Sequence, residues 1–112
     1  MKPTERQRAD HILESIEKIN KYTKKLSEKE FLDNDLVKDA VLYLFSVIGE
    51  AVIFIDNEIL KRYPYPWHLV RSFRNYIAHE YFGLNMKLVY QSIKQDLPVL
   101  EAKIKELITN EM

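Results

Sequence analysis

The run AVLYLFSVIGEAVIFI at residues 40–55 constrains this chain more than any other stretch. It is apolar on nearly all sides, and Glu50 is its one charged residue. No Val/Ile/Thr/Tyr run in the chain alternates like a strand, so the stretch reads as the middle of a helix from about Asp35 to Leu60. It is too short for a bilayer span and carries a charge in its centre, which argues against a membrane. A helix that is apolar all round needs cover on more than one face. Its own bundle would bury one side and a partner another, and a second copy of the chain meets that need.

The rest of the chain fits around that helix as an all-helical fold. Thr4 is placed to cap a first helix reaching to about Leu26, because its hydroxyl can accept from an unpaired backbone N–H. Ala9, Ile12, Ile16, Ile19, Tyr22 and Leu26 recur there at steps of three and four, the period of one helix face. Ser27 to Asn34 reads as a polar connection anchored by Phe31 and Leu32. KRYPYPW at 61–67 is a break, since Pro64 and Pro66 lack backbone donors and push the residues before them out of helical geometry. Pro66 can open a third helix running to about Tyr81, with Gly83 supplying a positive-φ C-cap. Asn85 caps a fourth helix over Met86 to Gln95. Asp96 caps a fifth from Leu97 to about Thr109, with Pro98 in its first turn. The expected architecture is an up-and-down helical bundle of about four main helices plus a short C-terminal helix, in a single domain spanning 1–112.

Charge and composition exclude several functions. The 17 basic and 17 acidic residues cancel, so coating nucleic acid by bulk charge is disfavoured. The distribution is uneven, however. Lys61 to His79 holds four basic residues, two histidines and no acid, whereas Asp33 to Glu58 holds six acids and one lysine. A neutral chain can therefore present one local cationic site. The absence of cysteine removes disulfides, thiol catalysis and thiolate metal sites, and fits a reducing compartment. The amino terminus has no apolar stretch of signal-peptide type, so a cytoplasmic location is expected.

The chemistry concentrates in RSFRNYIAHEYFG, residues 71–83. Taken singly, each polar residue here is more often structural than functional. Arg74 and His79 stand five positions apart, about 140° around an ideal helix. Asn75 and His79 share a face at a spacing of four, so the amide can orient the ring. Arg74 joins them if its long side chain wraps round, if the helix loosens towards Gly83, or if a second subunit completes the site. An arginine and a histidine that converge suit phosphodiester cleavage in RNA. Arginine holds phosphate oxygens in a planar fork, and histidine shuttles a proton for the 2′-hydroxyl and the leaving oxygen. No metal or other cofactor is required. His79-Glu80 also lacks the second histidine of a zinc-type HExxH motif. Glu50 would pair with a basic residue across the bundle, or face Arg74 or His79. Arg71 is a possible RNA contact, equally explained as a solvated charge, and His11 and His68 read as surface histidines.

The wider pattern joins IGEAV at 48–52, YPYPW, RNYIAHEYF and DLPVL at 96–100. It resembles the HepT-like branch of the HEPN superfamily over nearly the whole chain, most specifically in an R-x4-H-x-Y motif formed by Arg74, His79 and Tyr81. The resemblance implies a dimeric helical bundle whose two motif copies meet in a cleft. It implies a metal-independent ribonuclease, the toxin of a toxin–antitoxin pair, acting on transfer or messenger RNA. It further implies a partner, a minimal nucleotidyltransferase of the MntA type, that transfers AMP from ATP onto the motif tyrosine. By position, Arg74 would steady the scissile phosphate, His79 would be the acid/base, Asn75 would support the site and Tyr81 would be modified. The alternative is a non-catalytic nucleotide- or partner-binding module on the same scaffold.

Overall fold

The computed structural model describes residues 4–112, and Tyr81 by its backbone alone. Seven α-helices follow one another: α1 (Glu5–Thr23), α2 (Glu28–Leu32), α3 (Asp35–Ile53), α4 (Asn57–Leu60), α5 (Trp67–His79), α6 (Met86–Gln95) and α7 (Leu97–Glu111). A 3₁₀ turn over Tyr81–Gly83 follows α5. No strand occurs among the described residues, so the all-α class holds. No helix among them is long and apolar enough to cross a membrane.

Helix α3 is the axle of the bundle. α1 packs along one of its sides and α5 along another, while α7 closes over α1 and α6. Val41, Phe45, Ile48 and Val52 of α3 are buried against Ile12, Ile16 and Ile19 of α1 and Leu100, Ile104 and Leu107 of α7 in one continuous core. At roughly 25 cal/mol per Å² of apolar area removed from water, such a core is the main favourable contribution to folding.

The helix ends follow their capping residues. Thr4 and Gln7 form a reciprocal capping box at α1, and the Asn85 side chain accepts from the Lys87 and Leu88 amides at α6. The expected polar connection at Ser27 is itself a helix. Ser27 and Glu30 make a second capping box, and Phe31, fully buried, holds α2 to the core.

Four expectations need correction. α1 stops at Thr23, whose buried hydroxyl donates to the Ile19 carbonyl at 2.8 Å. The long central helix is interrupted after Ile53. The amides of Phe54 and Ile55 bond to the Ala51 and Val52 carbonyls in tightened turns, and Asp56 restarts the chain by capping α4. Glu5 fixes this corner by accepting from the Asp56 amide at 3.0 Å. Gly83 is not a left-handed cap, since no glycine has positive φ. α5 ends at His79, and the Glu80 amide closes onto the Tyr76 carbonyl. Finally, Asp96 occupies the N-cap position of α7 without a side-chain cap bond, being itself in helical geometry at the end of α6.

The break before α5 has a visible anchor. Trp67 is buried, and its indole N–H donates to the carbonyls of Leu60 and Tyr63 at 3.1 and 3.0 Å. Arg62 and Tyr63 reach across to Glu111, tying the break to the end of α7. These hydrogen bonds, Arg62 first, hold the Glu111 carboxyl below its ordinary range, while burial pushes the Tyr63 phenol up.

Candidate active site

The site begins with a glycine. α5 crosses α3 at Gly49, where a Cβ would stand 2.6 Å from the Arg74 Cβ and 3.1 Å from the Val70 carbonyl oxygen. Only a residue without a side chain permits this approach. The crossing delivers Arg74 beside Glu50, the next residue on α3. Arg74 Nη2 lies 3.0 Å from Glu50 Oε2, and Arg74 Nη1 donates to Asn75 Oδ1 at 3.3 Å.

Within one chain the Arg74 guanidinium reaches Asn75 and Glu50. Glu50 faces Arg74. The oxygen of Asn75 accepts from Arg74. His79 is exposed at the last position of α5, one turn beyond Asn75 on the same strip. Two of the guanidinium's N–H directions are spent on Glu50 and Asn75, and a guanidinium has five donors to offer.

The remaining expected residues lie as follows. Arg71 Nη1 donates to Asn57 Oδ1 of α4 at 3.1 Å, which ties it to the corner after α3. His11 and His68 are exposed, as expected of surface histidines. Tyr81 falls in the 3₁₀ turn and not in α5, so the R-x4-H-x-Y motif spans two elements; its side chain lies outside the described residues. Among the described residues, no three of His, Cys, Asp and Glu gather closely enough to hold a metal ion. An apolar groove of 260 Å³ runs between α5 and α7, lined by Phe45, Leu69, Phe73 and Leu97 among others. Arg74, Asn75 and His79 do not line it.

The apolar central helix does keep an uncovered strip. Tyr43 is exposed and Val47 is half-buried, and with Glu50 they follow steps of four and three along one side of α3; Phe54, just past its end, is exposed with the Arg8 guanidinium 4.3 Å over its ring. The Glu50–Arg74 pair therefore sits at the end of that strip.

The described residues define an all-helical bundle in which Arg74 and Asn75 stand beside Glu50 at a glycine crossing and His79 ends the same helix. Comparison with known proteins gives the particular family. The profile described as ribonuclease HepT-like matches residues 12–107, and the chain belongs to that family. A Thermococcus cleftensis protein named as a probable ribonuclease HepT is 30% identical over 108 residues, covering 96% of this chain and 98% of the relative. A Methanocaldococcus jannaschii protein provisionally named an RNase is 32% identical over 95 residues, covering 84% of this chain and 87% of the relative. A second protein of that organism, whose name joins a gamma-glutamylcyclotransferase to a provisional RNase, is 34% identical over 100 residues. The match takes in 88% of this chain but only 45% of that longer relative. No solved structure matches the chain at a significant level.

Proposed function

We propose that the chain is a metal-independent endoribonuclease and the toxin of a toxin–antitoxin pair. The observation that carries this reading is the Glu50–Arg74–Asn75 chain of contacts, whose last member, Asn75, stands four positions before His79 on one face of α5. Arg74 neutralises the phosphate and the charge that develops on phosphorus. His79 accepts the proton of the 2′-hydroxyl as the 2′-oxygen bonds to phosphorus, and a protonated histidine returns a proton to the 5′-oxygen as its bond breaks. The products are a 2′,3′-cyclic phosphate and a free 5′-hydroxyl. Arginine and histidine supply every charge and proton in this scheme, so no metal enters it.

The site is composite in this reading. Two chains pair through the exposed side of α3 around Tyr43 and bring two copies of Arg74 and His79 into one cleft. Either histidine can then serve as the base and, once protonated, as the acid. The substrate is transfer or messenger RNA, and the protein works in the cytoplasm. A minimal nucleotidyltransferase of the MntA type silences it by moving AMP from ATP onto Tyr81. The bulky anion, two residues from His79, opposes RNA by sterics and by like-charge repulsion.

One observation favours a second reading. Arg74 is already neutralised by Glu50 in the single chain, which would suit a module that holds a nucleotide or a partner without cutting RNA. Inducing the chain alone in a bacterial host, beside His79→Ala, separates the two. Growth arrest with discrete RNA fragments, both lost in a folded His79→Ala protein, supports the ribonuclease. Harmless wild type whose intact mass excludes added AMP removes the catalytic reading and leaves the binding module.

A further inference from the structure

We propose that Tyr76 is a stacking platform for an unpaired RNA base beside the cleavage site, so that the site takes a single strand and not a duplex. This rests on the ribonuclease reading above. Of the large apolar side chains of α5, Trp67 and Ile77 are buried, Val70 and Phe73 are partly so, and Leu69 is exposed. Tyr76 is 47% exposed and is the one exposed Tyr, Phe or Trp ring of the helix. It lies three positions before His79 and next to Asn75, and residues three apart on a helix have Cβ atoms roughly 5–6 Å apart. An aromatic ring therefore stands in solvent immediately beside the proposed proton shuttle.

Phe82, in the 3₁₀ turn three positions after His79, is 100% exposed. The two rings bracket the histidine along the chain. Around them, residues 61–79 carry Arg71, Arg74 and His68, while Glu80 stands between the two rings and Glu50 pairs with Arg74. Exposed rings interleaved with cations are what unpaired nucleic acid requires. Each base presents a π-face that stacks regardless of its identity, while the cations follow the phosphates. Bases in a duplex are already stacked on one another and offer no free face to such a ring. Stacking on Tyr76 would hold the nucleotide next to the scissile bond and fix the phosphate against Arg74 and His79.

A protein partner is the competing occupant of this strip. Leu69 is 58% exposed, seven positions before Tyr76 and on the same side of α5. A helix docking there would bury both, whereas a stacked base needs only Tyr76.

The test measures RNA binding on a His79→Ala background, so that nothing is cut. The probes are an unstructured RNA oligonucleotide and a duplex of the same length. Tyr76→Ala is expected to weaken binding of the single strand by about 5- to 150-fold, the range for loss of one stacked base. Tyr76→Trp should retain the affinity, Leu69→Ala should leave it unchanged, and all variants should keep one oligomeric state. Equal single-strand affinity in Tyr76→Ala overturns the stacking role. Loss of the oligomer in Tyr76→Ala, or an equal loss of affinity in Leu69→Ala, overturns it in favour of a protein interface. If the His79→Ala parent binds no RNA at all, the ribonuclease reading falls and the platform falls with it.

Discussion

Arg74 Nη2 and Glu50 Oε2 stand 3.0 Å apart across the crossing of α5 over α3. Both side chains are partly exposed, and pairs of that kind contribute about 0–1 kcal/mol to stability. Glu50→Gln is therefore expected to shift the unfolding free energy by less than about 1 kcal/mol in a denaturant titration. Its effect should fall on activity instead. The neutral amide can still accept a hydrogen bond but no longer holds the guanidinium by charge, so kcat should drop while the affinity for RNA does not weaken. A loss of several kcal/mol in stability with unchanged kcat would make the pair structural.

Gly49→Ala tests the crossing itself. The added methyl group would meet the Arg74 Cβ at 2.6 Å and the Val70 carbonyl at 3.1 Å, neither of which is the far end of a flexible side chain. α5 must move away from α3, at a cost of about 1–3 kcal/mol. The same movement displaces Arg74 from Glu50 and Asn75, so RNA cleavage should fall further than the stability loss accounts for. Denaturant unfolding and cleavage rates measured on one preparation check both effects.

Much of this fold is legible in the sequence because it is written in local signals. The spacing from Ala9 to Ile19 gives α1, Asn85 gives the start of α6, and the prolines of KRYPYPW give the break before α5. The missed features depend on contacts that spacing does not encode. The break after Ile53 lies inside an apolar run, and it is held by Glu5 from the other end of the chain. Gly83 suggests a longer α5 only if the helix is assumed to reach it, whereas α5 ends at His79, where the Glu80 amide donates to the Tyr76 carbonyl. The motif residues are legible as residue types. That Arg74 would be shared between Glu50 and Asn75 is not, because it follows from the close approach at Gly49.

Acid should weaken the protein through two carboxylates. Glu30 is held below the ordinary 4.5 by hydrogen bonding from Ser27, its backbone N–H first, and Glu111 by Arg62 and then Tyr63. A folded-state pKa below the unfolded one adds stability that is fully present above 4.5 and is lost as pH falls through the depressed value. Urea midpoints should therefore hold from neutral pH down to about 4.5 and decline below it. Replacing both residues, as Glu30→Gln with Glu111→Gln, should flatten that decline.

The composite site makes its own prediction. In a mixture of Arg74→Ala and His79→Ala chains, a mixed dimer holds one cleft with an intact Arg74 from one chain and an intact His79 from the other. Each variant alone should be inactive, and co-refolding them should recover part of the wild-type cleavage rate. If mixing restores nothing while mass measurements show mixed dimers, Arg74 and His79 act within one chain.

The central claim is that Arg74 and His79 cleave RNA without a metal. Its most direct measurement is the cleavage of an unstructured RNA by the purified chain in excess EDTA, with His79→Ala of matching circular dichroism and melting temperature beside it. The account predicts fragments ending in a 2′,3′-cyclic phosphate from the wild type and none from the variant. Cleavage that stops in EDTA, or that persists at the same rate in His79→Ala, would contradict it.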